Sequence, residues 1–335
     1  MHIYFGTVAR AAPESQGGSV FKLDWESKSI VREVPIVPTE PSIEHDPNAR
    51  GNVRGVRGIR VLNDEVYVAD YHTINIFDRD LNLKRKLSHG LMIGLHETQI
   101  VDSSIWVTST PLDACLKYRI GDGVLEESFW PREMPAFQDS LGLEALKIDK
   151  SIDNRLNFLE GKTFRGPSHL HLNAVWEFRG EVYALFHSRN LVANLSRGTI
   201  VIQDETLKHA HNLIIEEPGI VYVNDTHRTV VRQYDLASGE ETRAIELRKM
   251  RGINKLLLRS VARAFKEMGV TFFSRNRKAT ARPLYLRGLA TTEDYIFAGF
   301  SPATIVCIDK ASGKLVDYYF HSTDMRDCIH GLVCG

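Results

Sequence analysis

The stretch from Arg57 to Leu87, RGIRVLNDEVYVADYHTINIFDRDLNLKRKL, contains four short runs of β-forming residues separated by turn residues. The first run ends at Asn63-Asp64, the second is Val66 to Asp70, and the third is Ile74 to Asp78. A fourth, more polar run ends at Leu87. Short β-rich runs bounded by Asn, Asp and Gly are typical of strands joined by tight turns. The stretch therefore predicts one four-stranded antiparallel sheet.

The same pattern recurs along the chain. From Arg57 to His96 is 39 residues, and from Leu172 to His211 is again 39 residues. A four-stranded unit of about 40 residues is the blade of a β-propeller. The intervals 96–172 and 211–287 are about twice as long, and we attribute the excess to a loop insertion at 131–168, with a short helix at Leu141 to Lys147, and a helical insertion at 244–283. A seventh blade within 131–168 is the alternative.

The two ends of the chain complement each other. Three N-terminal strands, His2 to Val8, Ser19 to Asp24 and Ser29 to Pro35, lack an inner partner, and Cys328 to Cys334 is an inner strand without its outer three. Joining them completes a blade and removes a free sheet edge. We therefore predict an all-β fold, a six-bladed β-propeller that spans residues 1–335 as a single domain.

The composition excludes several classes of function. Lys and Arg total 42, as do Asp and Glu, so no net charge attracts nucleic acid. Four cysteines lack the spacing of a metal site, and no run approaches the ~18 apolar residues of a membrane helix. The N-terminus lacks the features of a signal peptide. We expect a cytoplasmic protein with a small-molecule substrate and no nucleic-acid partner; the oligomeric state stays open.

Basic residues recur where inner strands begin, as in Arg57-Gly58-Ile59 and His330-Gly331-Leu332. In a propeller, these positions and the loops after the second strands open on the same face. The inner-strand positions are occupied by His96, His169, His171, His209, His211 and His330, with Arg57 and Arg287. The loops carry His72, His187 and His227, and Asp70 and Asp225 end second strands. Nine of the thirteen histidines are thus predicted to share one mouth of the ring.

A metal-free chemistry is one interpretation of this mouth. Histidines act as general acids or bases near neutral pH, and the candidates for this role are His96, His171, His211 and His330, oriented by Asp70 or Asp225. Substrate binding is assigned to Arg57, Arg287, His72, His187 and His227, since guanidinium groups hold carboxylate or phosphate bidentately. A hydrolase or lyase acting on a small anionic or carbohydrate-like substrate fits this set. A propeller that binds a ligand or a protein without catalysis is the alternative.

Two kinds of divalent metal site are the other interpretations. His169-Leu170-His171 and His209-Ala210-His211 are H-x-H pairs, and residues i and i+2 of a strand face the same side. Imidazole suits a metal such as Zn or Fe. Glu97, Asn173 and Asn212 occupy, in three successive blades, the position that Gly58 holds in Arg57-Gly58-Ile59, and their oxygen atoms suit Ca²⁺.

Two family resemblances accompany these motifs. Asn173-Ala174-Val175 and Asn212-Leu213-Ile214 resemble the inner strands of gluconolactonase and senescence-marker propellers, which implies a channel metal held by Glu and Asn; Gly288 stands where that family's fourth ligand is expected. The strands Arg287-Gly288-Leu289-Ala290 and Ile296-Phe297-Ala298-Gly299 resemble an uncharacterised bacterial six-bladed propeller family. The second resemblance implies the fold and no reaction.

Residues 244–283 have a different character. From Arg243 to Arg287 there are 13 Lys or Arg against two acids, and an apolar stripe predicts a helix around Lys249 to Met268. A basic amphipathic helix suits contact with an anionic membrane surface or an acidic protein partner. The alternative is a helix that packs its stripe across the propeller, with Phe272-Phe273 and the basic cluster after them as a flap over the mouth.

Overall fold

The fold is a six-bladed β-propeller, seen here in a computed structural model that describes residues 1–13, 16–38, 54–159, 166–255, 258 and 284–335. Each blade is a four-stranded antiparallel sheet. In blades 1 to 4, consecutive strands run outward from the channel. Blade 1 consists of β4 (Ile59–Leu62), β5 (Glu65–Ala69), β6 (Thr73–Asp78) and β7 (Leu83–Ser88), and blade 2 of β8 (Leu95–Val101), β9 (Ser104–Ser109), β10 (Ala114–Arg119) and β11 (Leu125–Phe129). Blade 3 consists of β12 (Leu172–Phe178), β13 (Glu181–Phe186), β14 (Leu191–Asn194) and β15 (Thr199–Gln203), and blade 4 of β16 (His211–Glu216), β17 (Ile220–Asp225), β18 (Val230–Asp235) and β19 (Glu241–Glu246).

Blade 5 has the same order, and blade 6 closes the ring. Blade 5 consists of β20 (Gly288–Thr291), β21 (Tyr295–Phe300), β22 (Thr304–Asp309) and β23 (Leu315–Phe320); blade 6 consists of β24 (Asp327–Cys334), β1 (His2–Ala9), β2 (Ser19–Asp24) and β3 (Ser29–Pro35). Strand β24 pairs antiparallel with β1, for example Phe5 with Leu332. The predicted closure is confirmed.

The core consists of apolar layers between neighbouring blades. Among the described residues six buried clusters occur, and each joins two adjacent blades. Blade 4 shows how one strand serves two of them, since Leu213 and Ile215 face blade 3 and Ile214 faces blade 5. Alternate residues of a strand point to opposite faces. Both faces of a blade are thus buried, which explains the apolar inner strands of the sequence.

The described part of 131–168 contributes no strand to the six sheets. It contains two short helices, α1 (Pro135–Leu141) and α2 (Arg155–Leu159). The helix predicted at Leu141 to Lys147 is wrong, because α1 ends at Leu141 and the next residue, Gly142, has a left-handed φ of 64°. Phe137 of α1 is fully buried, and its ring centroid lies 5.5 Å from that of Phe186 in blade 3.

The predicted start of the second insertion at residue 244 is also wrong. Strand β19 continues to Glu246, and Ile245 is buried in the core because outer-strand residues alternate between core and solvent. Residues 251–255 are helical. Most of the predicted stripe and the flap at Phe272-Phe273 lie outside the described residues. None of the described helices is long and apolar enough to cross a membrane.

Candidate functional site

Eight histidines form a connected network of rings at one end of the channel. Neighbouring ring centroids lie between 4.7 and 6.2 Å apart. The network has two layers, which we name the inner triad and the rim. The inner triad is His96, His211 and His330, and the rim is His169, His171, His187, His209 and His227. The sequence placed these eight on a common mouth, and the structure brings them together.

The inner triad comes from alternating blades. His96 lies on β8 of blade 2, His211 begins β16 of blade 4, and His330 lies on β24 of blade 6. Blades 2, 4 and 6 of a six-bladed ring are about 120° apart around the channel. One ligand nitrogen from each ring lies within 4.8 Å of those of the other two. The three imidazoles therefore converge on the channel axis.

Each ring of the triad is oriented by a backbone carbonyl. The Nδ1 atoms of His96 and His211 lie 2.9 and 2.8 Å from the carbonyl oxygen of the residue two positions earlier. The Nδ1 of His330 lies 3.0 Å from the carbonyl oxygen of Arg57. A carbonyl oxygen only accepts hydrogen bonds. Each Nδ1 must therefore carry the hydrogen, which leaves the lone pair on Nε2 when the ring is neutral.

The environment keeps these rings neutral. Burial, followed by the charge of Arg57, holds the pKa of His96 well below its ordinary value. Burial and then Arg287 lower the pKa of both His211 and His330 in the same way. Removal from water penalises the charged imidazolium, and nearby guanidinium groups repel it. The triad thus consists of neutral imidazoles close to two cations.

Arginines surround the triad. Arg57 is buried, and Arg287 stacks on Tyr285 with its guanidinium carbon 4.7 Å from the ring centroid. A third cation, Arg10, joins them. Burial first, then the charges of Arg287 and Arg57, lower the pKa of Arg10 to about 9. Its other main electrostatic neighbours are the thiol of Cys328 and the phenol of Tyr285. The result is a concentration of positive charge at the mouth.

The part of the rim at His169 and His171 is held by Asp113, which follows a 3-10 turn at Thr110–Leu112. Its Oδ2 lies 3.1 Å from Nδ1 of His169 and accepts the backbone N–H of Leu170, while Oδ1 accepts the N–H of His171 at 2.8 Å. This fully buried carboxylate belongs to blade 2 and holds the entry of blade 3. Sequence reasoning missed it, although an aspartate immediately before a strand was a usable signal.

The second H-x-H motif does not lie within a single strand, so the strand alternation expected for it does not apply. His209 has a φ of 56° and precedes β16. His211 enters the triad, whereas His209 lies in the rim near His187 and His227. His171 likewise has a φ of 54°, although its ring is 5.5 Å from that of His169.

The oxygen-bearing residues lie in two places. Asn212 donates to Oε1 of Glu97 at 2.5 Å, and Arg60 approaches Oε2 at 3.4 Å. Burial raises the pKa of Glu97 to about 7. The Oδ1 of Asn212 accepts from Asn224 at 2.8 Å. These two expected metal ligands therefore bond to each other, and Asn212 turns its amide nitrogen, not its oxygen, toward the carboxylate.

Asn173, the third expected oxygen ligand, is fully buried and contacts blade 4 instead. Its amide nitrogen donates to the carbonyl oxygen of Ala210 at 2.9 Å and lies 2.9 Å from Nδ1 of His187. Its Oδ1 is buried without a hydrogen-bond partner among the described residues. Burial lowers the pKa of His187 to about 4.

The two aspartates expected to orient histidine rings serve turns and strands. Asp70 accepts the backbone N–H groups of His72 and Thr73 and the amide of Asn75. The buried Asp225 accepts from both Nε and a terminal nitrogen of Arg232, the latter at 2.9 Å. Asp70 also interacts electrostatically with His72, and Asp113, which was not expected, contacts the imidazole of His169.

His72 differs from the other mouth histidines. Its ring is buried, with Nδ1 2.8 Å from the hydroxyl of Thr73, and its nearest charged neighbours include Asp70 and Asp153 of the first insertion. It therefore lies beside the insertion at 131–168 and not within the network of eight rings.

Arg10 was not identified from the sequence as a site residue. It directly follows β1, the second strand of its blade, which is the position that Asp70 holds after β5 in blade 1. Loops after second strands open on the mouth, so a charged residue of any type in these loops is a candidate site residue. Arg10 meets this criterion as the histidines and aspartates do.

Comparisons with known proteins support the architecture. The chain is similar to a protein of unknown function from Bacteroides caccae, with a TM-score of 0.60, 10% identity, and coverage of 99% of this chain and 97% of that one. It is also similar to a chain of a nidogen/laminin complex, with a TM-score of 0.56, 11% identity and the same coverage. No protein-family model and no curated protein matches the chain. Likeness at this identity shows the fold alone.

Proposed function

We propose that the mouth is the active site of an enzyme, of hydrolase or lyase type, that acts on a small anionic substrate. The observation that carries this proposal is the concentration of Arg10, Arg57 and Arg287 beside three neutral, buried imidazoles. Like charges at close range raise the energy of the empty site. A bound anion offsets this repulsion.

The guanidinium groups suit a carboxylate, phosphate or sulfate. Arginine presents several N–H donors in a planar fork that binds such groups bidentately. The Nε of Arg287 is buried without a hydrogen-bond partner among the described residues, so it offers a donor to a ligand. Because Arg10 and Arg287 come from blades 6 and 5, the anion would sit against the side of the mouth nearest the chain's closure.

The imidazoles supply the chemistry of proton transfer. His171 lies 5.6 Å from His96 between ring centroids, and His187 lies 5.4 Å from His211. A substrate held by Arg287 would therefore have the inner triad beneath it and these two rim histidines at its side. Positioned imidazoles accelerate reactions by about 10²–10⁴-fold through general acid–base catalysis.

Anion binding is tested by thermal unfolding of the full-length protein, treated with a chelator to remove metal, with phosphate, sulfate or succinate. We expect a concentration-dependent rise in Tm for wild type. The rise should disappear in Arg287→Gln and persist in Arg197→Gln, a matched control on the exposed Glu181 pair. A wild-type Tm unmoved by all three anions contradicts the proposal.

Catalysis is separated from simple binding by a turnover screen. Phosphate monoesters, sulfate esters, carboxylate-bearing lactones and short oligouronates represent the small anionic substrates of hydrolases and lyases. We expect turnover in one class, with an increased KM in Arg287→Gln. Anion binding without turnover in any class favours the alternative, a ligand-binding propeller without catalysis.

A further inference from the structure

We propose that His96, His211 and His330 bind one divalent transition-metal ion through their Nε2 atoms, with an open coordination position facing the mouth. The inference deepens the proposed function and rests on it for the identity of the substrate, but not for the metal itself. The metal candidates of the sequence analysis were the two H-x-H pairs and the oxygen-bearing set. His211 of the second pair also belongs to the triad, whereas His96 and His330 were not among those candidates.

The hydrogen bonds of the triad define which atom faces the ion. All three Nδ1–H groups donate to carbonyl oxygens. A second partner of the His96 Nδ1 indicates the same tautomer. The hydroxyl of Thr110 donates its hydrogen to the carbonyl oxygen of Leu172 at 2.6 Å, so its oxygen accepts the Nδ1–H of His96 at 3.0 Å. A metal-ligating histidine usually donates its other ring N–H in this way, which fixes the tautomer and the ring orientation.

An unpartnered atom supports the site independently. His330 is 1% exposed, and its Nε2 is buried without a hydrogen-bond partner among the described residues. A buried polar atom left without a partner costs free energy, because it has lost its hydrogen bond with water. A metal ion on this lone pair would remove that cost.

The geometry suits three nitrogen ligands on one side of an ion. The triad residues come from blades 2, 4 and 6, and one ligand nitrogen of each lies within 4.8 Å of the others. Zn²⁺ sites with three histidines leave the fourth position to water or substrate, with metal–nitrogen distances of about 2.0–2.1 Å. Because the three strands enclose the channel side, the free position lies toward the rim.

The donor set selects the class of metal. Neutral imidazole suits Zn²⁺, Fe²⁺, Co²⁺ and Ni²⁺, whereas Ca²⁺ and Mg²⁺ require oxygen ligands. The oxygen-bearing residues are engaged elsewhere, since Asn212 bonds Glu97 and Arg60 neutralises it. The nearby charges of Arg57 and Arg287 disfavour a bare cation and favour an anion as its fourth ligand. When bound, such an ion would polarise a substrate oxygen or activate a water molecule.

The experiment is a titration of chelator-treated, full-length protein with Co²⁺ or Zn²⁺ alone, followed by calorimetry and, for Co²⁺, by visible absorption. We expect one ion per chain. In His330→Asn the amide can still donate to the Arg57 carbonyl while the Nε2 ligand is removed, so affinity should fall at least about 100-fold. His96→Asn is the second variant in case the first fails to fold. His89→Asn, at a histidine that contacts Tyr118 outside the mouth, is the matched control and should bind as wild type.

One further variant tests the orientation of the His96 ring. Thr110→Val removes the side-chain acceptor of the His96 Nδ1–H and leaves the carbonyl oxygen of Gly94, so it should weaken binding by about 10-fold. No binding of either ion to wild type, or equal binding by wild type, His330→Asn and His96→Asn, overturns the proposal. Because the anion-dependent rise in Tm is measured on metal-free protein, it can persist when the metal site fails, and the two proposals fail separately.

Discussion

The imidazole of His330 donates from Nδ1 to the backbone carbonyl oxygen of Arg57 at 3.0 Å, across 273 residues of chain. This bond joins the last strand to the entry of blade 1. It orients one ring of the triad and connects the two blades where the chain closes on itself. The triad is therefore complete only when the last strand closes the ring.

Removal of residues 327–335 should prevent the ring from closing. Without β24, strand β1 loses its partners from Ile3 to Ala9 and becomes an exposed edge. Ile329 and Leu332 also leave the apolar cluster between blades 5 and 6. We expect aggregation or a strongly lowered Tm, measured by light scattering and circular dichroism. His330→Asn distinguishes the contribution of the strand from that of the side chain, because this variant keeps β24 and should stay folded.

Gly331→Ala should destabilise the protein by overpacking. A Cβ at this position would lie 2.7 Å from Cγ1 of Ile59 and 3.1 Å from the carbonyl oxygen of Arg57. Overpacking of this kind costs about 1–3 kcal/mol. Chemical denaturation measures the change. Gly121→Ala is the control, because its Cβ would meet nothing within 4 Å; equal stability of the two variants would contradict the role of close strand packing.

Arg232→Met should destabilise blade 4. The Asp225 carboxylate is fully buried, and a terminal nitrogen of Arg232 lies 2.9 Å from its Oδ2. Removing one partner of a buried pair leaves an uncompensated charge, at a cost of about 3–5 kcal/mol. The free energy of unfolding should fall accordingly in urea. Arg197→Met, which breaks an exposed pair, should leave the unfolding curve almost unchanged.

Arg287→Gln should change anion and metal binding in opposite directions. The variant loses bidentate contacts with an anion, so the effect of phosphate on Tm should disappear. It also removes a cation whose charge acts on all three triad histidines, so Co²⁺ should bind several-fold more tightly. Both measurements use the same protein preparation. Loss of both anion binding and Co²⁺ binding would indicate misfolding of the mouth instead.

Local patterns carried most of the fold prediction. The strands from Ser19 to Asp24 and from Ser29 to Pro35 were predicted at their observed bounds, because apolar alternation and turn residues are encoded over a few neighbours. The same local reasoning failed at Leu141, where Gly142 ends the helix, and at Ala244, where the outer strand continues. Both errors concern where an element stops, which packing and a single glycine decided.

The sequence predicted where the candidate site lies, but it did not predict which chemistry the site performs. Strand direction alone brought His96, His211 and His330 to one mouth, but sequence spacing also favoured His209 as a partner of His211. The left-handed backbone at His209 places this residue before the strand, so strand alternation does not relate it to His211, and no motif indicates this.

The sequence by itself determined the number of blades, their closure by the terminal strand and the face on which the histidines gather. These follow from periodicity and strand direction, which are local or repeated properties. Only the tertiary structure decided which imidazole nitrogen faces the channel, and that Arg10 joins Arg57 and Arg287. The physical reason is that a tautomer and a charge cluster depend on contacts between distant segments, as the bond from His330 to Arg57 shows.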